Sequence, residues 1–330
     1  MADGQHFYCT YFDHRFLDRG LAMMRSLRRF EPDCQISVLC LTPATERVLV
    51  RLREPGVTLM RLEDFERENP DLLAIKDSRV PLAYYFTLSG CVVASALRHT
   101  GPDDTVTYLD ADLLFYASPQ PIYEEMAKAK ASVGVIGSRF HWWTKRLEKF
   151  GRYNVGWVSF RSDDTGKQAA QWWRNRNIEC CSLYVDGDRF GDQKYLEQFF
   201  WKFPDVIEIT HPGAGIGPWN VCRHSIVRGP GQTFVVDARF PLIFVHYSGV
   251  RETEPNVYLC SNVSYLGPFS ETVRNGLYRP YVTLLKEIQS EIGGIPADPA
   301  PALIYSGGWR RRWAPVLRMV GRWAGHYIDV

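Results

Sequence analysis

None of the eight cysteines forms a C-x-x-C pair, and neither sign of charge dominates, with 39 Lys and Arg against 37 Asp and Glu. No stretch reaches the roughly 18 apolar residues that a membrane-spanning helix needs. The amino terminus, MADGQHFYCTYF, has neither the basic start nor the apolar run of a secretory signal. Internal repeats are absent, and only GGIPADPAPA (293–302) approaches low complexity. Each absence narrows the field. Balanced charge removes the general argument for a nucleic-acid partner. Cys9, Cys34, Cys40, Cys91, Cys180, Cys181, Cys222 and Cys260 include several inside apolar runs, where a reduced thiol behaves as a small hydrophobe. A reducing cytoplasm is the expected compartment, and the protein is expected to be soluble or to sit on a membrane without crossing it.

What is present is a folded composition, 45% hydrophobic and 23% charged, in a length that suits one large domain plus an appendage. Short apolar runs alternate with amphipathic stretches: HFYCTYF (6–12), Leu17 to Phe30, QISVLCL (35–41), Pro43 to Arg53 and VTLMRL (57–62). This predicts strand, helix, strand, helix, strand, and a largely parallel sheet covered by helices. A helix is predicted from Pro81 to Leu97, then a single strand TVTYLDADLLFY. Beyond it come a helix (Pro119 to Ala129), a strand (132–137), an aromatic loop (139–143), a strand (153–160) and a helix around Gln168 to Arg176. Strands near Thr233 to Val236 and Leu242 to His246 are expected to complete the sheet, followed by a helix near Glu271 to Ile292.

The strand TVTYLDADLLFY carries two acids in an apolar setting. Residues two apart in a strand share a face, so Asp110 and Asp112 would project together. Side-by-side buried carboxylates are costly unless a cation or hydrogen bonds compensate, and a hard divalent metal is the economical partner. The carboxyl end of a strand in an open α/β sheet is also where ligands usually bind. Chance alone produces about one D-x-D triplet in a chain of ordinary domain length. Asp186-Gly187-Asp188 shows this: it lies in the polar run VDGDRFGD, where glycine makes a turn and the acids are solvated.

YLDADLLFY resembles the D-x-D strand of GT-A glycosyltransferases. Four further segments follow in the order of the retaining, glycogenin-like family: NVGW (154–157), GDQ (191–193), GPWN (217–220) and HYSG (246–249). The resemblance covers about residues 6 to 265. It implies a GT-A, Rossmann-like α/β fold, a mixed and mostly parallel sheet flanked by helices, as a catalytic domain in residues 1–265. Residues 266–330 would form a C-terminal helical extension ending in a basic, Trp-rich tail. The likeness makes Asp110, Asp112 and His246 the ligands of Mn2+ (or Mg2+), which would hold the diphosphate of a sugar nucleotide, most simply a UDP-sugar. Thr10, Tyr11 and Asp13 match the segment that packs on the donor's base and ribose, and Arg79 falls where a basic residue approaches its phosphates or sugar. Gly156 and Gly249, in NVGW and HYSG, would border the substrate. SRFHWW with YNVGWVSFR also resembles bacterial glycosyltransferases associated with surface polysaccharides. The implied partners are a sugar nucleotide and a glycan or lipid-linked acceptor.

By the same likeness Asn154 and Asp192 would hydrogen-bond sugar hydroxyls, although a turn asparagine and a helix-capping aspartate read equally simply. Gln193 aligns with the residue under the sugar's reacting face, and so weak a nucleophile implies same-face attack without a covalent intermediate. Trp219 and Asn220 would wall the acceptor side or else simply pack. His141, Trp142 and Trp143 would stack on a sugar or fill a core under their loop. Two features depart from the family: its D-Q-D triplet reads Asp192-Gln193-Lys194, and the lysine that usually follows H-x-x-G is missing from HYSGVRETEP. Arg251 is the nearest replacement for that charge.

The tail WRRRWAPVLRMVGRWAGHY, if helical after Pro315, sets Val316, Leu317, Val320, Trp323 and Tyr327 on one side with Arg318 and Arg322 beside them. Docking on an anionic membrane at its cytoplasmic face and packing on protein both fit this pattern. Two other functions share parts of the pattern: a nucleotidyltransferase, marked by a Gly-rich loop after the first strand where this chain reads YFDHRFLDRG, and a non-catalytic sugar-nucleotide-binding protein.

Overall fold

The computed structural model describes residues 4–261, 265, 267–294 and 319–330. The alternating pattern at the amino terminus becomes β1 (His6–Phe12), α1 (Leu17–Arg28), β2 (Gln35–Cys40), α2 (Pro43–Leu52) and β3 (Val57–Arg61). Two short helices follow, α3 (Leu62–Glu68) and α4 (Pro70–Ala74), then α5 (Pro81–Ala96), whose Pro81 occupies the first turn, where the missing N–H costs nothing. The centre comprises β4 (Thr105–Leu109), β5 (Leu113–Phe115), α6 (Gln120–Ala129), β6 (Val133–Gly137), β7 (Tyr153–Arg161) and α7 (Asp164–Glu179). After α8 (Phe199–Lys202) and β8 (Val206–Ile209) come the short strands β9 (Ile226–Arg228), β10 (Phe234–Val236), β11 (Phe240–Pro241), β12 (Phe244–His246), β13 (Arg251–Glu254) and β14 (Val257–Leu259). Helix α9 (Arg279–Ile292) and strand β15 (Tyr327–Asp329) complete the described elements.

Seven strands form the central sheet in the order β3-β2-β1-β4-β7-β6-β8. All neighbouring pairs are parallel except those of β7, which runs antiparallel to both β4 and β6. Reversing β7 brings its beginning to the same edge as the carboxyl ends of β1, β4 and β6. Side chains alternate between two cores: Tyr8 and Phe12 join α1, α6 and α9 on one face, while Cys9 joins α5 and α7 on the other. The second face is tightly packed, because a Cβ on Gly90 of α5 would lie 2.8 Å from the backbone nitrogen of Arg174 in α7.

The expected mixed, mostly parallel sheet is present, with three departures. The strand expected across TVTYLDADLLFY is broken into β4 and β5, with Asp110 to Asp112 forming the turn between them. The segments near 233–236 and 242–246 do not extend the central sheet. β10 joins β9 and β11 in a separate antiparallel sheet, and β12 pairs with β5. The far edge is filled instead by β8, whose sequence VIEI is too short and too charged in its middle to stand out. Lastly, the helix expected near 271–292 starts with a widened turn at Thr272–Tyr278 before α9, where Pro280 removes an amide from the helical ladder.

Helix α9 is fastened to the first layer of the fold: Gln289 Nε2 donates to Asp18 Oδ2 at 2.6 Å, and Arg25 pairs with Glu291 at 2.6 Å. Most of the expected amphipathic tail, from Trp309 to Arg318, lies outside the described residues. Within them, 319–323 is helical, the chain turns at Gly325, and Tyr327 belongs to β15, which pairs with β14. Tyr327 therefore does not continue a helical face. No described helix is long and apolar enough to cross a membrane.

Candidate metal and sugar-nucleotide site

The break after β4 positions the acids. Asp110 N donates to Gly156 O of β7 at 3.1 Å, and Tyr247 N donates to Asp112 O at 2.8 Å, so the turn is clamped on both sides. Antiparallel pairing of β12 with β5 sets His246 opposite Leu113, beside that turn. His246 Nε2 consequently lies 3.0 Å from Asp112 Oδ1 and 3.5 Å from Asp110 Oδ2. One ligand atom from each of the three residues falls within 4.8 Å of the others. Convergence arises from a turn and a distant strand pairing, and strand alternation contributes nothing to it.

The other nitrogen of His246 identifies the ring's role. Gly156 N donates to Asn154 Oδ1 at 2.8 Å, which fixes this atom as the amide's acceptor. His246 Nδ1 lies 3.0 Å from the same oxygen and must be the donor, so Nε2 faces the acids and would present its lone pair to them once the ring gives up its second proton. A histidine oriented through its second nitrogen toward a set of carboxylates is the arrangement metal sites use. Gly156 makes room for it, because a Cβ there would lie 2.6 Å from His246 Nδ1. Trp219 packs edge-on against the imidazole, with ring centroids 5.2 Å apart.

Electrostatics in the cluster follow from burial. Desolvation raises the Asp110 carboxyl, with Asp112 adding to the rise against the pull of His246. Desolvation also acts on Asp112, but His246 and Arg19 outweigh it and hold that carboxyl below its ordinary range. Burial opposes the imidazolium of His246, yet Asp112 and Asp110 together hold its pKa above the ordinary value. Tyr108 donates to Asp110 Oδ1 at 2.9 Å, which orients the acid that the cluster leaves least ionised.

These groups line a cavity of about 410 Å³ at the carboxyl edge of the sheet. Of the residues named from the sequence, Tyr11, Asp13, Asp110, Asp112, Asn154, Asp192, Gln193, His246 and Gly249 face it. Asp192 is buried, and desolvation pushes its carboxyl up to about 7 against a hydrogen bond from Ser89. Gln193 Nε2 donates to Phe150 O at 3.2 Å, and its Oε1 accepts from Asn154 Nδ2 at 3.4 Å. Asn154 therefore bonds His246, Gly156 and Gln193 at once. Asp13 caps the turn after β1 and is paired with Arg15 at 2.5 Å.

The remaining named residues lie elsewhere. Arg79 does not face the cavity: its guanidinium donates to Thr87 Oγ1 and to the carbonyls of Asn177 (2.6 Å) and Ile178, fastening the start of α5 to the end of α7. Asn220 is fully buried, donating to Ser138 O and Gly215 O at 3.0 Å and accepting from Gly217 N at 2.9 Å, so it braces its own loop. Thr10 is buried behind the lining, Trp219 contacts His246, and Gly156 acts through the space it leaves. Arg251 is exposed on β13 and bonds Gly249 O at 3.3 Å without joining the lining. Asp186 pairs with Arg189 at 2.8 Å in an exposed turn, as its polar setting implies. Phe16, Leu82, Tyr85, Phe86 and Phe190, which were not singled out from the sequence, complete much of the cavity wall with Tyr108 of the D-x-D segment.

Two outcomes follow from this geometry. Gly156→Ala should weaken Mn2+ binding by about 10- to 100-fold, as displacement of an orienting partner does in metal sites; calorimetric titration measures it, and unchanged affinity would remove His246 from the ligand set. Metal binding must displace a proton that His246 retains above the ordinary value of 6.5. Mn2+ affinity should therefore fall as pH is lowered from above that value, with proton release detectable as a buffer-dependent binding enthalpy.

No family model matches the chain. It is 34% identical over 249 residues to the uncharacterized protein YfnF of Bacillus subtilis (strain 168), spanning 74% of this chain and 81% of that protein. It is 27% identical over 301 residues to YfnD of the same strain, spanning 90% and 94% of the two chains. Among solved structures, the galactosyltransferase LgtC in complex with donor and acceptor sugar analogues superposes with a TM-score of 0.50 at 15% identity, covering 85% of this chain and 95% of that one. The central sheet, its single reversed strand and this superposition give the GT-A fold, and the chain belongs to the same family as YfnF.

Proposed function

We propose that the chain is a metal-dependent glycosyltransferase that moves a sugar from a nucleotide diphosphate donor, with UDP as carrier, to a hydroxyl of a glycan or lipid-linked acceptor. The observation that carries this reading is the convergence of Asp110, Asp112 and His246 Nε2 on one wall of the cavity at the sheet's carboxyl edge. Two carboxylates and an imidazole suit Mn2+ or Mg2+. Such an ion would act as a Lewis acid on the diphosphate and stabilise the charge left when the sugar departs. Among the described residues the lining contains Asp13, Asp110, Asp112 and Asp192 but no lysine or arginine, so an anionic donor needs a cation there.

The protein's own groups then divide the work. Tyr11, Tyr85 and Phe86 offer aromatic surface to the nucleoside. Asp192, whose carboxyl burial pushes up to about 7, hydrogen-bonds sugar hydroxyls in this reading. Gln193 lies under the reacting face by likeness, and its amide is already bonded to Phe150 and Asn154. Same-face attack is the course we favour: the bond from the anomeric carbon to the phosphate oxygen breaks, the acceptor oxygen takes its place, and the acceptor's proton passes to the departing phosphate. Resemblance to surface-polysaccharide enzymes supports a role in bacterial surface glycan synthesis. A nucleotidyltransferase is less well supported, because β1 is followed by a short helical turn and α1 in place of a glycine-rich loop.

The test is a thermal-shift screen of sugar nucleotides with and without Mn2+, followed by turnover of the stabilising donor. Asp112→Ala should abolish the Mn2+-dependent shift and lower hydrolysis or transfer roughly a thousandfold or more, the equivalent of several kcal/mol of metal stabilisation. Undiminished, still metal-dependent turnover in that variant contradicts the assignment.

A further inference from the structure

A second cavity, of about 640 Å³, opens beside the first and has the opposite electrostatic character. It lies between the end of β6 at Gly137, the loop from Arg139 to Glu148, and Arg152 just before β7. Only Tyr153 separates Arg152 from Asn154 in the first cavity, and Gln193 of that cavity bonds Phe150 in the intervening segment. The two spaces are thus neighbours along one sheet edge.

Its lining sets Arg139, Lys145, Arg152 and Arg223 against two carboxylates, Glu148 and Glu208. Hydrogen bonds to backbone carbonyls hold Arg139 and Arg223 in place without neutralising them. Arg139 donates to the carbonyls of His211 (3.1 Å) and Ile209 (3.0 Å), and Arg223 donates to those of Arg139 (2.8 Å) and Phe140 (3.1 Å). Arg152 reaches an acid, Glu208 at 3.3 Å. A carbonyl satisfies an N–H but leaves the guanidinium charge in place, so the cavity keeps a surplus of positive charge. Desolvation and then Arg223 hold the His141 pKa below its ordinary value. At the rim Trp142 is 78% exposed, an indole face available for stacking. Past Arg152 and Glu148 the surface continues into a third hollow bordered by Lys194 and by Trp201, itself 68% exposed.

Resting on the glycosyltransferase reading, we propose that this cavity binds the acceptor, and that the acceptor is an acidic glycan. A carboxylate or phosphate on the sugar adjoining the reacting one would meet the cation cluster, with its ring stacked on Trp142. The chemistry separates the two sites: metal and acids receive the donor, while arginines and an indole receive the acceptor. Charge-assisted contacts to a carboxylate or phosphate distinguish such an acceptor from a neutral one of the same shape.

Titration of the full chain without metal or nucleotide tests this, with cellobiose, its uronic acid counterpart and cellobiose 6-phosphate as probes. At least one acidic disaccharide should bind at least tenfold more tightly than cellobiose, and comparison of the two identifies which anion is read. Lys145→Glu should weaken that binding by about tenfold, the loss expected of one charge-assisted contact, and Trp142→Ala by roughly fivefold. Both side chains are exposed, so neither change disturbs the core. Equal affinity for the neutral and both acidic sugars, no binding of any of them, or affinity unaffected by both substitutions overturns the proposal. Because metal and donor are left out, failure here is separate from failure of the Mn2+-dependent donor shift.

Discussion

Two half-buried carboxylates on one turn face a buried imidazole from a distant strand, and much of the fold around them can be understood from the need to keep them together. Leaving such acids side by side in a protein interior costs several kcal/mol unless charge and hydrogen bonds compensate. Here the Tyr108 hydroxyl on β4 and the His246 ring reach the carboxylates themselves, while the Gly156 carbonyl on β7 and the Tyr247 amide beyond β12 hold the backbone of the turn that carries them. Beneath them Trp157 stacks on Phe244 at 5.5 Å, joining the strand that carries Gly156 to the strand that carries His246. Loosening either strand would therefore disturb the cluster.

Asn154 connects this cluster to the rest of the cavity. Its oxygen accepts from both Gly156 and His246 while its nitrogen reaches Gln193, so one amide aligns the proposed metal side with the proposed sugar side. That role differs from direct contact with a sugar hydroxyl, the simplest expectation for a polar residue in NVGW. The two neighbouring cavities then divide by charge. One is lined by four aspartates, and the other by four cations against two glutamates, with Arg139 and Arg223 held on carbonyls that leave their charge in place.

The first five elements were legible because short apolar runs, largely buried in β1 and β2, alternate with amphipathic helices. Motif order likewise placed Asp110, Asp112, Asn154, Asp192, Gln193 and His246 in one region, and the structure gathers them around one cavity. Sequence does not distinguish a polar side chain aimed at a ligand from one that satisfies backbone carbonyls. Arg79 and Asn220 are of the second kind, and their partners, Asn177, Ile178, Ser138 and Gly215, follow only from tertiary packing. The break between β4 and β5 was hidden for a related reason. Leu109, Ala111 and Leu113 alternate with the acids as a continuous strand would, and only the pairing with β12 shows that β5 belongs to another sheet. Aromatic wall residues such as Tyr85 and Phe190 were invisible because apolar residues at helical or loop positions ordinarily denote core.

The central claim is that His246 Nε2 and the two aspartates form a single metal site. Electron spin echo envelope modulation of Mn2+ bound to the full chain, prepared with natural-abundance and with nitrogen-15 histidine, measures this directly. One coordinated imidazole is predicted, with modulation that changes on isotopic labelling and disappears in His246→Ala. Stoichiometric Mn2+ binding without histidine nitrogen modulation would contradict the account.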